Sequence, residues 1–390
     1  MVDIVAISPA SVTAINRNVY VELKRRGWKL EMVIPLTYAV SKTKIISSEP
    51  ARKQDPVIHF LELKRKNPRM FYFPQLNQML MGSQPRIIIL ENDPVSFIAM
   101  QLGKFCNKHG IYLFCLSCEN LPFDLNSSMR RRGVSSLPSA IIKSYLYRAG
   151  RKNIDTVFTI SNDGTKLFEE RAYKRVIKIP LGFDRSIFYE DIEKGNLVKS
   201  RLGLNYPVFA YFGRMVQEKG VHLLVEALSG MKHLNWHLML DTFDRYANPY
   251  GNYIDELIHA AGLGDKLIYI HASHYEMPSY MNAADVVIMP SISTPTWKEQ
   301  YGRVAPEVMA CGKLVVASKS GTLPELIGDG GVLFNEGDVS GLTSILKEYL
   351  EHPSRYKEIK QRGKLHAESS LSINNQAAAY EHRIKEVLID

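Results

Sequence analysis

Short runs of β-branched and aliphatic residues alternate along the 390-residue chain with stretches whose apolar positions recur at helical spacing. A run that is apolar throughout must be buried on both sides, so this alternation predicts parallel sheets covered by helices on both faces, the α/β class. Predicted strands in the first half cover 2–8, 29–34, 57–61, 86–90, 111–116, 157–159 and 176–179. A second series covers 208–212, 237–240, 267–270, 286–289, 314–317 and 332–334. Between the two series, 180–188 carries Pro180, Gly182 and Asp184, turn chemistry that marks a domain junction. The pattern therefore predicts two doubly wound domains facing a central cleft. The first is 1–182 together with a last helix at about 373–390, and the second is 183–372.

Length agrees with two domains, and 45% hydrophobic against 23% charged residues supplies two cores without any sign of a fibrous or disordered chain. Four cysteines (Cys106, Cys115, Cys118, Cys311) are too few for a disulfide framework, which fits a reducing cytoplasm. Cys115 and Cys118 form a CxxC with no second pair at metal spacing. The first residues read as a strand and not as a secretory leader, and no apolar run approaches the roughly 18 residues of a membrane span. The formal net charge is +9, and basic residues thicken in the first half at 64–66, 130–132, Lys143, Arg148, Arg151 and Lys152. The segment 126–148, a basic loop followed by a helix with Ile141, Ile142, Tyr145 and Leu146, reads either as a solvated face or as one that lies on an anionic leaflet. A nucleic-acid-binding protein has the same charge, but no zinc finger, RNP-type sequence, helix-turn-helix, Walker loop or GxGxxG supports it.

Open α/β sheets bind ligands beyond the carboxyl ends of their strands, so the loops after each strand carry the candidate chemistry. After 208–212 comes Gly213-Arg214-Met-Val-Gln-Glu218-Lys219-Gly220. Gly213 permits close backbone approach, while Arg214 offers a planar fork of donors and Lys219 a point charge, a set suited to a pyrophosphate or to surface carboxylates. A second loop reads Glu299-Gln-Tyr301-Gly302-Arg303-Val304-Ala-Pro-Glu307 and leads into a short helix. Amides of Gly302 to Val304 at that helix start can donate to phosphate oxygens. Glu299 and Glu307 are poor phosphate ligands but good acceptors for the hydroxyls of a sugar and a ribose.

These two loops, with 309–331 from Met-Ala-Cys-Gly through Pro324-Glu325 to Gly331, resemble the retaining glycosyltransferases of family 4, of the two-Rossmann-domain (GT-B) fold. The resemblance covers about 180 to 334 closely and the first 150 residues only in element order. It implies a nucleotide-sugar donor, with Arg214 and Lys219 as a diphosphate clamp that stabilises the leaving group. Glu307 would hold the ribose hydroxyls and Glu299 the hydroxyls of the donor sugar. Gly213, Tyr301, Gly302, Arg303 and Val304 would lie against the donor. Transfer with retention needs no protein nucleophile, and without an Asp-x-Asp the expectation is metal independence and no cofactor.

Departures from the family fall on the acceptor side. A Gly-Gly turn is common after the first strand, whereas this chain has Ser8-Pro-Ala-Ser11-Val-Thr13, making Ser11 and Thr13 acceptor-side candidates. Where relatives place a histidine after the fifth strand, Glu119 and Asn120 stand, and Glu119 could orient the sugar or acceptor hydroxyl or simply cap the next helix. After 237–240, Asp241-Thr-Phe-Asp244 replaces a glycine-containing turn. By analogy the acceptor would be a saccharide or a lipid-linked saccharide of surface polysaccharide or glycolipid synthesis, at the cytosolic face of a membrane. A sugar-nucleotide epimerase of similar architecture is the competing reading, and the clamp with its paired glutamates favours transfer over it.

Overall fold

The structure, a computed structural model, describes residues 2–39, 45–65, 67, 69–122, 137–242, 245 and 249–389. Contacts divide the chain into two compact units, Met1–Gly182 with Ile373–Asp390 and Phe183–Ser372.

The first unit is built on a parallel sheet of β1 (Ile4–Ile7), β2 (Leu30–Pro35), β5 (Val57–Leu61), β6 (Ile87–Leu90), β7 (Tyr112–Ser117), β8 (Thr156–Thr159) and β9 (Val176–Lys178). Their order across the sheet is β5-β2-β1-β6-β7-β8-β9. Every residue of β1 and β6 is fully buried, as an all-apolar strand flanked by helices on both faces requires. A small antiparallel pair, β3 (Thr37–Ala39) with β4 (Ile45–Ser47), was not predicted. Three-residue strands made of Thr-Tyr-Ala and Ile-Ile-Ser offer too few positions for a period to register.

The last helix, Ile373–Ile389, folds into this unit. It inserts Tyr380 and Ile384, both fully buried, sets the Tyr380 ring edge-on to Phe158 at 4.8 Å, and joins Glu381 to Arg26 at 2.8 Å.

The second unit holds β10 (Val208–Tyr211), β11 (His237–Asp241), β12 (Leu267–Ile270), β13 (Val286–Met289), β14 (Leu314–Ser318) and β15 (Val332–Phe334). These are again all parallel, in the order β12-β11-β10-β13-β14-β15. In sequence rank this is 3-2-1-4-5-6, the doubly wound order whose direction reverses between the first and fourth strands. β10 and β13 are those strands, and they pair side by side. In the first unit β1 and β6 hold the same position. Each sheet thus opens a crevice at a known place, and the loops leaving these four strands decide what it can hold.

Candidate functional site

In the second unit the loop after β10 and the loop after β13 are fastened to one another. Ile292 donates its amide to the Glu218 carbonyl at 2.8 Å, and Gly220 (φ +66°) lies so close to Pro290 that a Cβ there would stand 1.9 Å from the Pro290 oxygen. The left-handed conformation and the missing side chain are therefore both needed for this contact. The Tyr211 hydroxyl donates to the Arg214 carbonyl at 2.6 Å and fixes the start of the loop. Arg214 itself is exposed, and its guanidinium has no ion pair or hydrogen bond among the described residues. Lys219, by contrast, is engaged. Its Nζ lies 2.5 Å from Glu299 Oε2 and 5.5 Å from the centre of the Trp297 ring.

Glu299 is buried and accepts a second bond on the same oxygen from Ser291 Oγ at 2.8 Å. Its backbone is clamped by Thr322, whose amide and hydroxyl both reach the Glu299 carbonyl, and by Gly321 (φ +53°), where a Cβ would meet that carbonyl at 2.0 Å. Loops after three neighbouring strands, β10, β13 and β14, therefore converge on one carboxylate.

Tyr301 is buried, and Gly302 (φ +80°) turns the chain into the helix Val304–Ala310 with Arg303 exposed beside it. The first amides of that helix have no intrahelical acceptor. Glu307 lies in its first turn, partly exposed, and its side chain makes no hydrogen bond or ion pair among the described residues. Burial pushes its carboxyl up to about 7, only partly opposed by the Arg303 charge. A partly exposed acceptor group with no protein donor is suited to a ligand that brings hydroxyls. Gly213 (φ +146°) adopts a backbone conformation that side chains disfavour.

The crevice of the first unit is equally polar and less expected. Ser11 is fully buried: its hydroxyl lies 2.7 Å from Ser8 Oγ and 3.4 Å from the Asn16 carbonyl. Ser11 thus sits inside a 3-10 turn with its hydroxyl bonded within the same loop. The Thr13 hydroxyl, half-buried, has no partner among the described residues. The polar residue that sequence reading missed is Glu91, which follows β6 directly and accepts from Ser8 Oγ and, at 2.7 Å, from the Tyr20 hydroxyl. A lone carboxylate closing an all-apolar strand at the sheet's switch point was the available signal.

Glu119 and Asn120 are both buried after β7. Glu119 Oε1 accepts from Arg69, which also hydrogen-bonds the Val95 carbonyl, while Glu119 Oε2 is buried without a partner. Asp93, held by Ser117 Oγ at 2.6 Å, lies 4.0 Å from the same guanidinium. Burial, and after it the Asp93 carboxylate, raises Glu119 to about 8, so near neutral pH it is mostly a neutral acid able to donate. Arg69 and Asp93 were not anticipated, because they reach Glu119 from loops 50 and 26 residues away in sequence. Residues 126–133 and 243–244, also singled out in the sequence, lie outside the described residues. No helix among the described residues is long and apolar enough to cross a membrane.

Residues 195–366 match the model of the family described as Glycosyl transferases group 1. An uncharacterized glycosyltransferase of Methanocaldococcus jannaschii is 26% identical over 58% of this chain and 59% of its own length. A lipopolysaccharide 1,2-N-acetylglucosaminetransferase of Salmonella typhimurium is 28% identical over 56% and 58%. A GDP-mannose-dependent mannosyltransferase of Mycolicibacterium smegmatis acting on phosphatidylinositol monomannoside is 28% identical over 45% and 47%. The chain spans about half the length of these curated relatives. Among solved structures, sucrose-phosphate synthase from Thermosynechococcus elongatus superposes over all of both chains with a TM-score of 0.76 at 17% identity. Anabaena HepE in complex with UDP and glucose superposes with 0.73 at 18% over 99% of this chain and all of that one. At such identities the likeness is one of fold, and the fold is that of GT-B glycosyltransferases, with two parallel-sheet Rossmann-like domains. The family model and the named relatives thus make the chain similar to glycosyltransferases over about half of its length.

Proposed function

We propose that the chain is a retaining, metal-independent glycosyltransferase that moves a hexose-type sugar from a UDP- or GDP-sugar to a hydroxyl of a saccharide or lipid-linked saccharide. One observation carries this reading. At the switch point of the second sheet, an unpaired arginine, a lysine and the Glu299 carboxylate come from loops that fasten one another in place, and Glu307 stands on the short helix that follows.

Arg214 and Lys219 are the cations for the diphosphate. Their charge matters most as the bond to the anomeric carbon breaks and negative charge builds on the leaving phosphate, which is where fixed cations accelerate a reaction. The Lys219–Glu299 pair holds the lysine in place before the donor arrives, and Glu299 then offers its acceptor oxygens to the sugar hydroxyls. Glu307, without a protein donor, receives the ribose. The Gly302–Val304 turn lays its amides against phosphate. Relatives add the Salmonella and mycobacterial enzymes, whose names place sugar on a lipopolysaccharide and on a lipid-linked mannoside. The epimerase reading gains no support from these relatives, whose names are those of transferases.

A panel of UDP- and GDP-sugars tests the proposal by nucleotide release, with the anomeric configuration of the product read by NMR. The expected result is release of one nucleoside diphosphate, retention at the anomeric carbon, and a drop of about 10²-fold or more in kcat/KM for Arg214→Ala. An inverted product would refute retention. An Arg214→Ala enzyme as fast as the wild type would refute the clamp.

A further inference from the structure

The second unit contains two tryptophans, and they are used differently. Trp236 is buried in the core, whereas Trp297 is only partly buried and stays outside it. The loop that carries Trp297 holds its backbone still. Thr294 donates its amide to the Trp297 carbonyl at 2.7 Å and accepts the Trp297 amide at 3.3 Å, closing a turn over Pro295 and Thr296. Just before this turn, Ser293 donates its amide and its hydroxyl to Glu336 at 2.6 and 2.7 Å. Just after it, Glu299 is clamped by Ser291 and Thr322. The indole is therefore fixed at the edge of the site without being packed away. Its face meets Lys219, whose Nζ stands 5.5 Å from the ring centre and 2.5 Å from Glu299 Oε2. Its Nε1 makes no hydrogen bond among the described residues. Fixed aromatic surface beside a few convergent polar groups is the composition of a small-molecule site.

We propose that Trp297 is a specificity-determining residue whose indole face lies against the apolar C–H face of the transferred sugar. The proposal rests on the donor site assigned above, in which Lys219 serves the diphosphate and Glu299 the sugar hydroxyls. A pyranose is amphipathic, with hydroxyls around its rim and C–H groups on its faces. Glu299 is a partner for the rim and offers nothing to a face. When the Lys219 ammonium leaves Glu299 for the diphosphate, it uncovers the indole beside that carboxylate, and rim and face find partners together. A nucleobase could stack on an indole as well, but the ring's neighbours are the two residues that serve the diphosphate and the sugar. No proton or other group passes to or from the indole, so its effect falls on binding and on the choice of sugar.

Calorimetric titration of the full chain with UDP, UDP-glucose, UDP-galactose, UDP-N-acetylglucosamine, GDP and GDP-mannose tests it in the wild type, Trp297→Leu and Trp297→Phe. The quantity read is the affinity of the best-bound nucleotide sugar divided by that of its bare nucleoside diphosphate. Loss of the ring–ammonium contact acts on both ligands and cancels in this ratio, whereas loss of a sugar contact does not. Trp297→Leu should lower the ratio about tenfold, the scale of a lost aromatic stacking contact. Trp297→Phe should recover most of it, and both variants should melt with the wild type. An unchanged ratio in Trp297→Leu would overturn the proposal, leaving Trp297 as a prop for Lys219 or a stacking surface for the base. A Phe variant as poor as the Leu variant would overturn it too, since an aromatic face would then not be what the sugar meets. A wild type that binds neither UDP nor GDP gives a different result, the failure of the donor site itself, and this proposal falls with it.

Discussion

Glu307 and Glu119 both carry carboxyls raised by burial, and they should reveal themselves in opposite ways. If Glu307 receives ribose hydroxyls as a carboxylate, nucleotide affinity should climb as pH rises through about 7 and level off above it, and Glu307→Gln should flatten that profile. Binding measured across pH 5.5 to 8.5 (roughly the span that brackets this pKa) decides it; a wild-type profile without a step would contradict the assignment. Glu119 bears on stability. Its proton is held more tightly folded than unfolded, so stability should fall as pH rises from about 4.5 towards about 8, by at most about 1.4 kcal/mol per unit. Glu119→Gln should therefore be more stable than the wild type at pH 8 and not at pH 4.5, as read by urea denaturation at both values. At this scale the sequence exposed the residues whose meaning is local: Arg214 and Lys219 sit five apart in one loop, and Glu299 and Glu307 frame one helix start. Glu91, Arg69 and Asp93 act through partners 83, 50 and 24 residues away, as in Ser8–Glu91, Arg69–Glu119 and Asp93–Ser117, and no periodicity carries that information.

At the scale of elements, strands were legible because both sheets are parallel and buried on both faces. Fully apolar runs such as 87–90 and 286–289 have no other explanation. The hairpin of β3 and β4 escaped because neither strand is long or apolar enough. What local patterns could not reveal is which loops touch. Gly220 against Pro290 and Gly321 against Glu299 are contacts between elements 70 and 22 positions apart, made possible by backbones with no side chain to spare. Gly220→Ala should force the β10 and β13 loops apart and lower unfolding free energy by about 2–4 kcal/mol, with loss of nucleotide binding, because it combines a disfavoured φ with a backbone clash. Chemical denaturation together with binding checks it; a variant with wild-type affinity would show that the two loops do not form one site.

For the whole molecule, the order of strands in each sheet decides more than any single motif. That order is set by long-range pairing, yet it brings the ends of β10 and β13 together and so explains why two loops far apart in sequence form one candidate site. The last helix makes the same point for the first unit, whose core it completes with Tyr380 and Ile384. Removal of residues 373–390 should lower the melting temperature of the first unit, since it takes two buried apolar side chains worth about 1.5–3 kcal/mol each out of the core, and it should leave the second unit able to bind nucleotide. Calorimetric titration of UDP, GDP and ADP, with and without EDTA, into the wild type, Arg214→Ala and Glu307→Ala tests the donor site most directly. One nucleotide should bind, its affinity unchanged by EDTA, and each variant should lose roughly 1.5–3 kcal/mol. Binding of none of the three, or variants that bind as tightly as the wild type, would contradict the donor site placed at the β10–β13 switch point.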